Sequence, residues 1–422
     1  MYWLIEDLEQ LKVFYNSGFD KAYIEIIPFN DNIHPVKNGV SLVYLRPLDA
    51  SKGFMIAVDH SEALCINQRH INEILKKFKV LYTRDKKEIL HYFPLKSFID
   101  INQPPNPYIR PTTQTHDIFY YKHKDNPDIN KFIPIVKHYE LCEIIFGELK
   151  SNINDNITEY GKFFNDRVSL VFNAIERNGI RIHRETFSKY FYEPKSEFVY
   201  TQFNLKTTTT RPSNRFNGVN YAALNKDNGC RASFIPRNDE LVEIDIIAYH
   251  PTLASKLINY EFEEDDIHSS FAKMYNVSRD KAKELTFKQL YGGVFAQYKE
   301  LEFFKQIDSW IQTNWKKFNS EGWIETPISK FRFWKEEMGE MNPQKLFNYV
   351  LQNFETSLNV LLLWEILRIL RGCNTKLILY TYDSFLLDVD KNEQGKIEEI
   401  KDAFNKYKLN TTISKGKTYD FR

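Results

Sequence analysis

Two apolar runs, each interrupted by one aspartate, constrain this chain more than any other feature. LVEIDII (241–247) reads as a strand, and Asp245 breaks it. KLILYTYDSFLLDV (376–389) reads as two strands joined at Tyr382-Asp383, a hairpin with an acid at its tip. A carboxylate in apolar surroundings is costly unless a cation pairs with it. Two readings follow. Asp245 is an N-cap and Asp383 an ordinary turn residue, or the two acids meet and a metal ion pairs with both. Hard oxygen donors without a Cys/His cluster select Mg²⁺ over Zn²⁺. Two carboxylates holding two Mg²⁺ ions suit chemistry that activates a hydroxyl and stabilises a leaving pyrophosphate.

Between these acids lies RDKAKELTFKQLYG (279–292), where Arg279, Lys283, Phe287 and Tyr291 recur every fourth residue. On an α-helix that stride drifts by about 40° per step, so the four side chains share one face. Its first half is cationic and its second half aromatic, and Gly292 and Gly293 end the helix. Such a face suits a nucleoside triphosphate, with cations on phosphates and rings against sugar and base. The pattern also fits an amphipathic surface helix whose rings lie in the core.

At 422 residues the chain is long enough for about two or three domains. Its 57 Lys and Arg against 56 Asp and Glu exclude a uniformly basic surface, so a polyanion must be held in a local groove. Cys65, Cys142, Cys230 and Cys373 form no CxxC pair, which argues against zinc and disulfides and for a reducing cytoplasm. The acidic start MYWLIEDLEQ is unlike a signal peptide. The apolar run Val360–Trp364 is cut by Glu365 and Arg368 and predicts a buried helix, not a membrane span.

Taken in order, AYIEII (22–27), VSLVYL (40–45) and FMIAV (54–58) read as strands. INEILKKF (71–78) reads as helix and KVLYT (79–83) as a strand, together a small α+β or α/β unit. Asn102 to Thr113, with four prolines, reads as a linker or long loop. From Lys131 to Gly179 the pattern is helical, with Gly179 at a C-cap. LKTTTTRPSNR (205–215) is polar, basic and almost free of large apolar groups, which reads as a loop outside the core that could hug a polyanion backbone. After Asp245, Pro251 marks a helix start, and Glu393 to Tyr407 reads as a helix before a last strand.

The order of these signals, strand Asp, then an Arg/Lys/Phe/Tyr-Gly helix, then hairpin Asp, resembles the family A DNA polymerases. Asp245 falls at the motif A aspartate. Arg279, Lys283, Phe287, Tyr291 and Gly292 fall on the motif B fingers helix, and Tyr382-Asp383-Ser384 on the His-Asp-Glu of motif C. TTTTRPSN is similar to the T-G-R-x-S-S loop and places Arg211 near the minor groove; NGCRASFIP supplies Arg231. DDIHSSFA resembles the D-I-H element, with His268 near the phosphates. GWIETPISKFR resembles the G-x-V-x-T segment, and FNYVLQNFET the N-x-x-x-Q helix, with Asn348 and Gln352 facing DNA. FNAIERNGIRI resembles the M-E-x-x-G-I segment that opens the polymerase domain. The resemblance covers about 165–422 well and 1–130 weakly.

It implies an α+β right-hand polymerase of palm, fingers and reduced thumb, behind an N-terminal degenerate exonuclease-like α/β domain. The expected bounds are 1–130 exonuclease-like, 131–240 reduced thumb and start of palm, 241–265 palm, 266–372 fingers and 373–422 palm. It implies two Mg²⁺ ions on Asp245, Asp383 and the Ile246 carbonyl, with dNTPs and primer–template DNA as partners. Lys283 would protonate the leaving pyrophosphate and Tyr291 would stack near the templating base. Arg211, Arg231, Asn348, Gln352 and Tyr382 would track the duplex.

Four departures qualify the expectation. His250 stands where the family has the Glu that excludes a ribose 2′-hydroxyl, and it still fills that space. Ser384 replaces the motif C Glu, leaving two carboxylates. About 25 residues separate Ile182 from Thr207, too few for a long thumb at roughly 1.5 Å of helix per residue, so processivity would need a partner. At the N-terminus a D-x-E would fall on Tyr23-Ile24-Glu25 with the first acid missing, and Asp85 and Asp100 read as ordinary surface acids. Proofreading is expected to be absent. Compact size and a Lys/Asn/Ile/Phe-rich composition suggest a phage or mobile-element protein. Two alternatives stand beside this reading: a single-subunit RNA-synthesising polymerase or primase relative, and a catalytically inactive DNA-binding relative.

Overall fold

The computed structural model describes residues 2–104, 126–154, 156–264 and 266–421. The proline-rich segment from Pro105 to Thr113 and Asp265 of the DDIHSSFA element lie outside the described residues. The chain divides into two compact units, Met1–Asn173 and Ala174–Arg422.

The first unit is built on a six-stranded mixed sheet. Its strands are β1 (Trp3–Ile5), β2 (Lys21–Pro28), β3 (Val40–Pro47), β4 (Phe54–Ala57), β5 (Val80–Thr83) and β6 (Phe98–Asp100), in the order β1-β4-β3-β2-β5-β6. β2, β3 and β4 form an antiparallel meander, while β5 and β6 continue parallel to β2. Strands buried on both faces are apolar almost throughout, and β2 and β3 meet that condition. Ala22, Ile24, Val43 and Leu45 pack in one core with Leu11 and Phe14 of helix α1 (Leu8–Asn16) and with Ile71 and Leu75 of helix α2 (Gln68–Leu75). Tyr23, Leu42 and Tyr44 pack in another with Leu141 and Ile145 of a helix spanning Ile135–Leu149. The helix expected at 71–78 thus begins three residues earlier, at an Asn67 cap that accepts from Arg69 N–H.

Two expectations for this unit change. Asp100 is not a surface acid: it is buried, and its carboxylate accepts the backbone N–H groups of Lys86 and Asn102. Asp85 caps the helix Lys86–Tyr92 by accepting from Glu88 N–H at 2.9 Å.

The second unit centres on a four-stranded antiparallel sheet. β7 (Glu240–Ile246) lies inside it, flanked by β8 (Ser384–Val389) and by the last strand, β9 (Thr411–Gly416); the strand Lys376–Thr381 pairs the outer side of β8. The expected hairpin is therefore Lys376–Thr381 and β8 with Tyr382-Asp383 between them. Leu241, Leu379 and Leu386 face a core shared with Ile180, Phe187 and Phe234. Helices α3 (Tyr249–Ile258), α4 (Ile267–Tyr275), α5 (Arg279–Gly292), α6 (Glu302–Glu321) and α7 (Pro343–Ile369) supply the rest. Aromatic residues, 15% of the sequence, pack densely here: Phe271 meets Phe262, Tyr275, Phe303 and Phe304 within 5.2–6.1 Å. Between Ile182 and Thr207 the longest helix has seven residues, Arg184–Tyr190. No described helix is long and apolar enough to cross a membrane.

Gly179 follows the helix Ser169–Asn178 with φ +63, and an added Cβ would lie 2.8 Å from the Tyr200 ring. Gly179→Ala is expected to lower the unfolding free energy by about 1–2 kcal/mol from backbone strain alone. Gly322→Ala, with φ +80 but open space around it, should cost less. Urea denaturation of both variants checks the order.

Candidate active site

The register of β7 against β8 brings the two interrupting acids together. Asp245 pairs with Ser384, the residue after Asp383, and Ile246 N–H donates to the Asp383 carbonyl at 2.8 Å. The hairpin tip is held in an uncommon shape. Tyr382 has φ +65, an outlier for a bulky residue, and its carbonyl accepts from Asn359 Nδ2 at 2.8 Å. Asn359 also donates to Tyr380 Oη and accepts from Tyr249 Oη, each at 2.8 Å. Ala248, at φ +49, turns the chain from β7 into α3. Positive φ at non-glycine residues clusters at functional sites.

The two acids open on a cavity of about 370 Å³. Helix α5 supplies one wall. Its buried residues are Ala282, Thr286, Gln289 and Leu290, while Arg279, Lys283, Phe287 and Tyr291 line the cavity. The core reading of the rings is therefore overturned: smaller and amide side chains take the buried face. Phe287 and Tyr291 stack with an interplanar angle of 4°, and Tyr291 meets the His250 ring at 5.5 Å. Asp245, Ile246, His250, His268, Asp383 and Arg211 complete the expected lining.

Other expected residues lie elsewhere in the unit. Tyr382 sits under Arg211, whose Cζ is 3.7 Å from its ring centroid. Asn348 donates to the Tyr291 carbonyl at 3.4 Å, and Gln352 accepts from Thr209 Oγ1 at 3.0 Å. Arg231 is engaged internally, donating to the Leu224 carbonyl and stacking on Tyr419. The 205–215 loop, expected outside the core, is substantially buried: Leu205, Lys206, Thr210 and Asn214 are all buried. Its hydroxyls are what let it sit there, since Thr209 and Thr210 bond Gln352 and Asn353 of α7.

Three charged residues were not anticipated. Glu355 lines the cavity from α7. Glu243, two residues before Asp245 and thus on the same face of β7, accepts from Ser384 Oγ at 2.5 Å and Tyr419 Oη at 2.9 Å. Lys226 is within electrostatic reach of both aspartates. A signal for Glu355 was present: Asn348, Gln352, Glu355 and Asn359 form a polar stripe at helical spacing in a mostly apolar helix. Lys226 sits in an irregular loop, which carries no such signal.

The electrostatics are those of crowded like charges. Asp245 is pushed up to about 6 by burial, then by Asp383 and Glu243, against the pull of Lys226 and Lys283. Burial also raises Asp383, with Glu355 adding to it. His268 is pushed down by burial and by Arg279 and Lys283, so the free protein holds it neutral near pH 7. Arg279 pairs with Asp266 at 2.7 Å, holding that carboxyl down at about 2. Nδ1 of His250 and of His268 are buried without a hydrogen-bond partner.

No group of three or more His, Cys, Asp or Glu among the described residues is placed to hold a metal ion. Two carboxylates and the Ile246 carbonyl suit Mg²⁺ nonetheless, because that ion keeps several waters and takes one or two carboxylates together with substrate phosphates.

No family model matches the sequence, and no curated protein matches it. Among solved structures, the POL domain of Pol1 from M. smegmatis, in complex with DNA primer-template and dNTP, is similar over 100% of this chain and 99% of that one. The TM-score is 0.69 and the identity 11%. The chain has the fold of that polymerase domain. At such identity the likeness speaks for the mixed α+β fold alone.

An acid raised on folding binds its proton more tightly in the folded chain. Its contribution to stability is present at low pH and is lost as pH rises from about 4 through about 6. Without divalent ions, Asp245→Asn is therefore expected to raise Tm at pH 7.5 by about 2–4 °C, and to have little effect at pH 4. Mg²⁺ should raise the wild-type Tm at pH 7.5 and leave the variant nearly unmoved. Thermal melts at both pH values, with and without Mg²⁺, check both signs.

Proposed function

We propose that this chain is a template-directed DNA polymerase that adds deoxynucleoside triphosphates to a primer 3′-hydroxyl. The observation that carries this reading is the meeting, in one cavity, of two repelling aspartates, half-buried Asp245 and exposed Asp383, with the cationic and aromatic face of α5. The M. smegmatis structure, which holds primer-template and dNTP in a polymerase domain of this fold, supports it.

In this reading Asp245, Asp383 and the Ile246 carbonyl hold two Mg²⁺ ions. When bound, these would lower the pKa of the primer hydroxyl and stabilise charge on the departing pyrophosphate. The chain's own residues do the rest. Arg279 and Lys283 bind the triphosphate, and Lys283 gives a proton to the pyrophosphate. His268, neutral in the free protein, contributes a hydrogen bond and gains charge as phosphate arrives. Phe287 and His250 wall the sugar, and Tyr291 packs beside the templating base. Arg211 and Tyr382, stacked on each other, meet the primer end, with Asn348, Gln352 and Arg231 along the duplex.

Residues 241–265 and 373–422 then form the palm, 266–372 the fingers with adjoining helices, and 131–240 a reduced thumb with the start of the palm. The short helix Arg184–Tyr190 supports a weak hold on DNA and a need for a processivity partner. Residues 1–130 are read as an exonuclease-like domain without activity. In support, Glu25 is buried, bonded to Tyr23 Oη and paired with Arg84 at 3.0 Å, so a cation of the chain already neutralises it.

Primer extension on a labelled primer–template with Mg²⁺, supplying dNTPs and NTPs separately, tests the reading. Extension by dNTPs is expected, reduced at least about 100-fold in Asp383→Asn. A mismatched primer end should not be excised. Extension by NTPs alone would move the assignment to an RNA-synthesising relative. Binding of primer–template without extension by either would leave a DNA-binding protein.

A further inference from the structure

Glu355 is a buried carboxylate that the function above does not use, and its surroundings are unusually specific. Its side chain is 2% exposed and meets two cationic or proton-donating partners from different parts of the chain. Arg211 donates a hydrogen bond from a terminal nitrogen to Oε1 at 3.1 Å, and its Nε lies 2.8 Å from Oε2 in an ion-pair contact without hydrogen-bond alignment. His250 places Nε2 3.2 Å from the same Oε1. Both partners line the cavity that holds Asp245 and Asp383. The guanidinium reaches Glu355 while stacked on Tyr382, next to the hairpin acid.

These contacts fix more than position. A carboxylate only accepts, so Nε2 of His250 carries the proton in this pair and the ring is held in one tautomer and one orientation. Nδ1, buried and without a partner, is the ring atom left over. Burial by itself would push the Glu355 carboxyl up, but the His250 bond and the Arg211 charge bring it below its usual range, so it stays ionised. An ionised buried carboxylate between two partners is a stiff bracket: releasing either partner leaves charge uncompensated in a dry site. The bracket stands on α7, whose Asn359 also holds the Tyr382 carbonyl.

We propose that Glu355 is the positioning residue for sugar selection, one carboxylate that sets the His250 ring against the incoming sugar and couples it to the Arg211 guanidinium at the primer end. The proposal rests on the polymerase reading above. Its consequence is that a change on the Arg211 side is felt in sugar discrimination, although Arg211 itself is assigned to the primer. A residue that merely stabilised the fold would lower incorporation of both sugars alike.

The test measures kcat/KM for single incorporation of a dNTP and of the rNTP with the same base. It also measures primer–template Kd by fluorescence anisotropy. The proteins are the wild type, Glu355→Gln, His250→Ala, Arg211→Ala and the pairwise doubles. Glu355→Gln is expected to lower the dNTP-to-rNTP ratio at least about fivefold and to weaken primer–template binding. Combined with His250→Ala it should lower the ratio no further than the stronger single change. Both changes unbalance a buried ion pair, but a ratio of two kcat/KM values does not depend on the folded fraction, and Arg211→Ala supplies the second arm. It leaves α7 untouched and is also expected to lower the ratio at least about threefold. A ratio within twofold of wild type in Glu355→Gln or in Arg211→Ala overturns the coupling, as does a multiplicative double. Equal loss for both sugars, with the ratio kept, assigns Glu355 to stability alone and also overturns it. Absence of incorporation by the wild type sinks the polymerase reading itself, an outcome separate from any change confined to the variants.

Discussion

The repulsion between Asp245 and Asp383 is the constraint on which the rest of the second unit turns. Asp245 on β7 and Asp383 at the adjoining hairpin tip line one cavity, where desolvation opposes ionisation of both and the Asp383 charge opposes that of Asp245. A fold left to maximise stability would put an amide or an apolar group at one of these positions. The surrounding structure instead holds the arrangement in place. The β7–β8 register and the Ile246–Asp383 backbone bond leave no freedom to separate the acids. Asn359 clamps the strained tip from behind. Glu243, a third acid on the same strand face, is absorbed by Ser384 and Tyr419 rather than left to face the cavity alone.

Helix α7 does for polar groups what the sheet does for the acids. Its apolar residues bury the helix, and its stripe of Asn348, Gln352, Glu355 and Asn359 reaches the 205–215 loop, the start of α3 and the hairpin tip. Most buried polar groups of this region are thus paired through one rigid element. That is how a polar site survives inside a protein without the desolvation penalty of orphaned groups. Nδ1 of His250 and of His268, buried without a partner, lie on residues that line the cavity, where a ligand can reach.

What was legible in the sequence was what is local. The strand around Asp245, the hairpin around Asp383 and the helix from Arg279 to Gly292 announce themselves through period and interruption, and the observed bounds of that helix match the expected ones. Its outward aromatic face was not decidable from spacing, because a ring serves a core or a ligand equally well. The decision came from Ala282, Thr286 and Leu290 taking the buried side. Glu355 was missed because its meaning lies in partners remote along the chain, Arg211 being 144 positions away. The 205–215 loop was misjudged for a related reason: a run of threonines looks solvated until the amides that accept and donate to it are known. Asp100 looked like a surface acid because the backbone donors that satisfy it come from a helix start and a turn.

In the proposed function, Asp245 and Asp383 are kept together to share divalent cations with a nucleotide. Titration of Mn²⁺ into the protein with and without dNTP, read by electron paramagnetic resonance of the free ion, tests it most directly. Weak binding by the protein alone and two bound ions per chain with dNTP are expected, with both Asp245→Asn and Asp383→Asn abolishing the nucleotide-dependent gain. Binding that is independent of dNTP, or that survives in either variant, would contradict it.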